Sequence, residues 1–292
     1  MSRISLRRPY ATVTVAGRAL PIVGVDLTVG RYHKADFGSF QLPDDFRWAA
    51  DETYPAPYSP VTVEMGYADE PTTVRQFSMF TSDTPARNGM IDIKDKWFEL
   101  GAKFMLLTGK VSYKNVTLDQ VVRHVLTFAG VRDIYVGQYA IVKPMWNGYN
   151  MTVQQAIEQA SQDWGVQPPI FFDRAGGFFF GAEISASAFS KPTTTTFVER
   201  QNIMGQPEAD TRRLSYDMIE TGAEPTIGQQ WDEAHQEQEI PYWRLPVVFA
   251  PWIWHGDTVR VDHSRLSGTF RVASASHGSR PWGTVLELEK IA

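Results

Sequence analysis

Apolar and polar residues alternate with a period of two through both ends of the chain, and with a period near 3.6 only in the middle. Val61, Val63, Met65 and Tyr67 alternate with Thr62, Glu64 and Gly66, while Ile91 and Ile93 alternate with Asp92 and Lys94. Later, Phe270 and Val272 flank Arg271, and Leu286 and Leu288 alternate with Glu287 and Glu289. Each run has one face suited to a core and one suited to water, the pattern of antiparallel strands joined by turns. Strands are therefore predicted from about residue 10 to residue 107 and again from about residue 186, with residues 43–60 as a Pro-rich interrupting loop.

The period changes at Asn115. Thr117 stands as an N-cap, Leu118, Val121, Val122, Val125 and Leu126 form one apolar face, and Gly130 is the stop. The device recurs with Thr152 as cap, Val153, Ala156, Ile157, Ala160 and Trp164 as face, and Gly165 as stop, so that Asn115/Asn150, Thr117/Thr152, Gln120/Gln155, Gly130/Gly165 and Val131/Val166 match thirty-five residues apart. Two copies are too few for a helical solenoid, and residues 134–142 read as extended chain. The better account is two helices on a small sheet whose last hairpin spans residues 170–180, with Ala175-Gly176-Gly177 turning. A second echo links the β parts: Gly38-Ser39-Phe40 and Gly268-Thr269-Phe270 share a Gly-small-Phe phrase.

The length of 292 residues suits two or three subdomains. At 43% hydrophobic and 21% charged residues the chain is an ordinary folded one. Aromatics at 13%, with nine Trp, suit sheets and protein interfaces. A net charge of −5 argues against sequence-specific binding of nucleic acid. The acidic excess is local: no Lys or Arg occurs between Arg213 and Arg244, and residues 222–241 carry five carboxylates. That stretch reads as a long loop projecting from the second β part, with Trp231 as apolar anchor and Asp232, Glu233, Glu237 and Glu239 meeting basic groups of a partner. The first nine residues lack an apolar core of signal-peptide length, and no apolar run approaches eighteen residues, so synthesis in a host cytoplasm without a cleaved signal or membrane insertion is expected. Arg3, Arg7 and Arg8 read as a solvated basic tail.

Catalytic signatures are missing from the sequence. It has no cysteine, so thiolate metal sites and thiol nucleophiles are excluded. It has no Gly-x-Ser-x-Gly elbow, no phosphate-cradling glycine loop and no His-Glu-x-x-His. His255, Asp257, Asp262 and His263 form the one dense His/carboxylate group, read as turn and strand-end polar residues, and His124 reads as a helix-surface residue; no catalytic, metal or cofactor residue is assigned. Trp252-Ile253-Trp254, Trp231, Trp243 and Phe178-Phe179-Phe180 suit core or subunit packing better than a sugar platform. A glycan-binding protein, and below it a carboxylate-based cell-wall hydrolase, remain alternatives.

One resemblance covers nearly the whole chain. Its carriers are Val13-Thr14-Val15-Ala16-Gly17, the runs 23–29, 38–43 and 61–66, and the closing strand and turn series 255–261, 266–272 and 282–288. In strand rhythm and turn placement these resemble the baseplate hub proteins of contractile phage tails, a group similar to the late control protein D family and the hub portion of type VI secretion spikes. The resemblance implies a mainly β chain in which two small antiparallel tube-like β-barrels, residues 1–110 and 186–292, flank an α+β insert, residues 111–185. It also implies a non-enzymatic structural protein of the virion tail baseplate. As a homotrimer it would join the sixfold tail tube protein ring to the threefold central spike protein, contact other baseplate proteins and surround the DNA channel.

Overall fold

The computed structural model describes residues 8–30, 36–43, 56–82, 89–102, 112–148, 150–166, 170–172, 177–181, 195–217 and 235–291. The first part of the chain forms β1 (Pro9–Val15), β2 (Arg18–Leu20), β3 (Gly24–Gly30), β4 (Phe37–Gln41), β5 (Pro60–Tyr67), β6 (Glu70–Thr81) and β7 (Met90–Lys94), then α1 (Lys96–Leu100). The middle forms β8 (Ser112–Thr117), α2 (Leu118–Phe128), β9 (Ile134–Val136), β10 (Val142–Asn147), α3 (Val153–Trp164), β11 (Ile170–Phe172) and β12 (Phe178–Phe180). The last part forms β13 (Thr195–Val198), β14 (Glu208–Asp217), β15 (His235–Val247), β16 (Thr258–His263), β17 (Leu266–Ser279) and β18 (Trp282–Lys290).

The two outer parts share one 13-stranded sheet in the order β14-β15-β18-β17-β3-β4-β7-β6-β5-β1-β2, with β16 on β17 and β13 on β16. Their join is antiparallel pairing of Ser274–Gly278 in β17 with Asp26–Gly30 in β3. Alternating residues from both sides, among them Val25, Leu27, Val63, Ile93, Val259, Val272 and Leu286, meet in one core. Among the described residues no barrel closes.

The Gly-small-Phe echo has a structural counterpart. Phe40 and Phe270 are both buried, and each lies on the middle strand of three antiparallel strands: β3-β4-β7 in one case and the consecutive β16-β17-β18 in the other. Phe40 stands opposite Val25 as Phe270 stands opposite Val259. Gly38 is needed where it is, because a Cβ there would run into the Asp26 carbonyl oxygen on β3.

The middle part is an α+β unit with its own core, built on Val121, Val125, Ile157, Trp164, Phe178 and Phe180. Both predicted caps are in place. The Thr152 hydroxyl accepts from Gln155 N–H at 3.1 Å and the Gln155 side chain accepts from Thr152 N–H at 2.9 Å, while Thr117 N–H donates to Gln120 Oε1 at 3.2 Å. Both helices end alike: Val131 N–H reaches Leu126 O at 3.0 Å and Val166 N–H reaches Ser161 O at 2.9 Å, around left-handed Gly130 and Gly165. Asn115 and Asn150 also match, with φ of 50° and 56°. The antiparallel register of β8 and β10 sets Ser112 against Asn147, residues separated by the same thirty-five positions. β11 and β12 pair antiparallel as predicted, the turn residues Ala175 and Gly176 lying outside the described residues, and β12 also pairs in parallel with β9, which makes this small sheet mixed.

Helix α1 was not anticipated. Its N-cap, Asp95, accepts from Trp97 N–H at 2.9 Å, and the helix carries Trp97 and Leu100 into the second core. Asp95 N–H in turn donates to Asp36 O at 3.0 Å, and Asp36 Oδ1 accepts from Gly30 N–H at 2.9 Å, so two buried carboxyls stand where the sheet meets the middle unit. Burial, and then the charge of Asp95, push the Asp36 carboxyl well above the ordinary carboxylate range. Burial pushes Asp95 up to about 7 against backbone hydrogen bonds that lower it.

Two predictions follow from this packing. Trp164 is 5% exposed and donates from Nε1 to Ile141 O at 2.9 Å. Trp164→Ala should cost about 3 kcal/mol or more and Thr152→Ala about 1 kcal/mol in denaturant unfolding; a near-neutral Trp164→Ala would overturn the packing assignment. For the carboxyl pair, folded pKa values lie above the unfolded value of about 4. The folded state therefore binds more protons from pH ~4 to about 7, and its stability falls as pH rises through that window. Asp36→Asn should flatten this slope, so unfolding free energies measured near pH ~5 and pH ~8 should converge relative to the parent. An unchanged slope would refute the assignment to this pair.

Candidate assembly interface

Two surfaces offer themselves for assembly, and both follow from strand placement. The first is the β14/β15 ribbon. β14 pairs with β15 along its whole length, from Glu208↔Arg244 to Asp217↔His235, but β18 supports β15 only at Trp243–Val247. Residues 211–217 and 235–241 therefore extend past the body of the sheet as a two-stranded arm.

The arm corrects part of the predicted loop. Residues 235–241 are strand, with Glu237 opposite Ser215 and Glu239 opposite Arg213. Trp231, Asp232 and Glu233 lie outside the described residues. Alternation could not reveal this strand, because Gln236, Glu237, Gln238 and Glu239 are polar at successive positions.

The second surface is the face of the large sheet turned away from the core. Residues directly opposite across antiparallel strands share a face. One such row runs Val285, Ser276, Thr28, Phe37, Lys94, and the next runs Asp26, Ser39, Asp92. The Thr28 and Ser276 hydroxyls lie 3.0 Å apart across the join. Further along, Tyr10 Oη donates to Glu64 Oε1 at 2.9 Å and Gln76 Nε2 donates to Glu64 Oε2 at 3.0 Å. This face thus carries side-chain hydrogen bonds at the join and again across β1, β5 and β6. A shallow groove of about 390 Å³ crosses it at the join, lined by Asp26, Thr28, Met204, Arg280 and Trp282 among others.

The residues weighed for chemistry are held by structural contacts. His263 is buried, its Nδ1 accepts from Arg265 N–H at 3.0 Å, and its Nε2 lies 3.8 Å from Glu199. Asp257 Oδ2 accepts from Trp254 N–H at 2.8 Å and shapes the turn before β16. His255 is buried, whereas Asp262 points outward on β16. Among the described residues no three His, Asp or Glu side chains gather at metal-binding range. His124 sits edge-on to the Tyr113 ring at 5.1 Å. The aromatic clusters pack inward: Phe178, Phe179 and Phe180 are buried, Trp254 stacks on Phe77 at 5.5 Å, Trp252 meets Tyr67 at 6.2 Å, and Trp243 packs against the main core.

The sequence matches no protein-family model. It matches no curated protein sequence either. Solved structures do match, over nearly the whole chain. A 43 kDa tail protein of prophage MuSo2 from Shewanella oneidensis is 13% identical, with a TM-score of 0.57 over 97% of this chain and 98% of that one. A tail protein from Neisseria meningitidis is 14% identical, with a TM-score of 0.56 over 97% and 96%. An Escherichia coli component of the type VI secretion system, described as structurally similar to two phage T4 tail proteins, is 9% identical, with a TM-score of 0.56 over 96% and 77%. The chain therefore has the mainly β fold shared by phage tail proteins and type VI secretion spike components, the group its strand rhythm resembles.

Proposed function

We propose that the chain is a structural baseplate hub protein of a phage-like tail, one that acts as a homotrimer between a sixfold tail tube ring and a threefold central spike. The observation that carries this reading is the fold match from end to end with tail proteins of similar length, at 97% of this chain and 96% to 98% of theirs. Two three-strand antiparallel units per chain, one around Phe40 and one around Phe270, support it, because three chains then present six such units to a six-membered ring. On this reading residues 1–110 and 186–292 each contribute one such unit, with residues 111–185 as the insert between them. The wet sheet face suits a channel wall: hydroxyls and amides keep it hydrated, and Asp26, Asp92, Glu64 and Glu287 discourage adhesion of a polyanion such as DNA.

The partners on this reading are further copies of the chain, the tail tube ring, the spike and other baseplate proteins, and the setting is the virion tail. Its role is mechanical rather than enzymatic. The acidic stretch with Trp231, Asp232, Glu233, Glu237 and Glu239 docks against a neighbouring subunit or ring.

Sedimentation of the purified chain should give the mass of three copies, and images of the assembled particle should place it on the axis between tube and spike. A monomer at all concentrations, or a peripheral position, would overturn the hub reading. Within the acidic stretch, Trp231→Ala should impair assembly far more than Glu237→Gln, because a buried aromatic anchor carries affinity while rim charges set register and rate. Equal effects of the two substitutions on the fraction assembled would refute the anchor role.

A further inference from the structure

Among the described residues, no strand flanks the β14/β15 arm on either long edge. β14 is the last strand of the sheet path, and among the described residues no strand lies outside it. On the other side, no strand pairs with residues 235–241 of β15 among the described residues. A lone two-stranded ribbon is marginally stable in water, and open strand edges recruit further strands. The two edges also differ in charge: over this stretch β14 carries Arg212 and Arg213 against Asp217, whereas β15 carries Glu237 and Glu239 with no Lys or Arg.

We propose that the arm splices one copy of the chain to the next, the outer edge of β14 in one copy adding as a strand to the open edge of β15 in its neighbour. The occupant is a second copy because each arm presents both complementary edges. Pairing β14 with β14 would set arginines against arginines, and pairing β15 with β15 would set four carboxylates together; like charges across paired strands are destabilising. Only the β14-to-β15 contact opposes the signs. A contact of that kind is head-to-tail, and repeated about an axis it closes a ring. It deepens the three-copy reading above and rests on it. Main-chain hydrogen bonds supply the affinity in such strand addition, and alternating side chains supply register. The run of Gln and Glu from 236 to 239 suits this role, since its sequence offers no apolar face to a core while its backbone groups still need partners.

The chain contains no cysteine, so disulfide trapping has no background from native thiols. Single-cysteine copies with Thr211→Cys or Ser215→Cys on β14 are mixed with differently tagged copies carrying Gln236→Cys or Gln238→Cys on β15. The mixture is oxidised gently at a concentration where sedimentation shows the assembled species. Adjacent strands bring Cα atoms to about 5.5 Å, within disulfide reach. At least one mixed pair should give the β14–β15 heterodisulfide severalfold above either homodisulfide. Dominant homodisulfides would overturn the head-to-tail splice. Three-copy assemblies without any cross-link would overturn the splice while leaving the trimer intact, and monomers at every concentration would overturn both.

Discussion

Everything in the large sheet depends on five residue pairs between β3 and β17, Asp26↔Gly278 through Gly30↔Ser274. They join segments from opposite ends of the chain and turn two sets of strands into one hydrogen-bonded surface with a single core behind it. Side chains reinforce the join. Ser279 Oγ accepts from Val25 N–H at 2.7 Å, and Tyr67 Oη donates to Phe249 O at 2.7 Å from a buried position. Each such bond contributes about 1 kcal/mol net, but leaving its partner buried and unsatisfied would cost about 1–3 kcal/mol, so the bonds select this register over its neighbours. A slip of one residue would also send the core-facing row Val25, Phe40 and Ile91 to the wet side.

The middle unit hangs from that sheet through a short polar joint rather than through a shared apolar core. Asp36 ties β3 to the residue that caps α1, and α1 delivers Trp97 and Leu100 to the second core. The joint places two carboxyls out of water, where burial favours the protonated form of both and the charge of Asp95 favours it further at Asp36. Stability at this point is therefore tied to proton concentration, while the cores on either side are insensitive to it.

What was legible in the sequence was whatever depends on neighbours in the chain. The caps at Thr117 and Thr152, the left-handed stops at Gly130 and Gly165 and the burial of Trp164 are local events, and their residue types announce them. Strands with one buried face were equally plain. Helix α1, at five residues, is too short for a period to show, and β6 begins with a solvent-facing segment, Glu70-Pro71-Thr72-Thr73, that hides its later alternation. The pairing of β3 with β17 is a meeting of distant segments, which no local pattern encodes. Of the predicted partner-contact residues, Glu237 and Glu239 fall on a strand rather than a loop, and the rest lie outside the described residues.

The same physics explains why the assembly surfaces were the hardest part to foresee. A core strand is marked by alternation because one face must leave water, but a surface meant for other copies keeps its own faces wet until assembly. On the proposed splice, the polar run Gln236 to Glu239 leaves no apolar pattern to read, while a strand edge without a partner among the described residues can still add a strand. On the hub reading the wet sheet face follows a parallel logic. Its carboxylates are interspersed with Lys94 and Arg244 on the same face, so the field they project decays within a Debye length of about 8 Å at physiological salt. A wall of that kind repels a polyanion only at close range. It prevents adhesion without opposing entry, which is what a conduit requires and what a strongly charged wall of either sign would not provide.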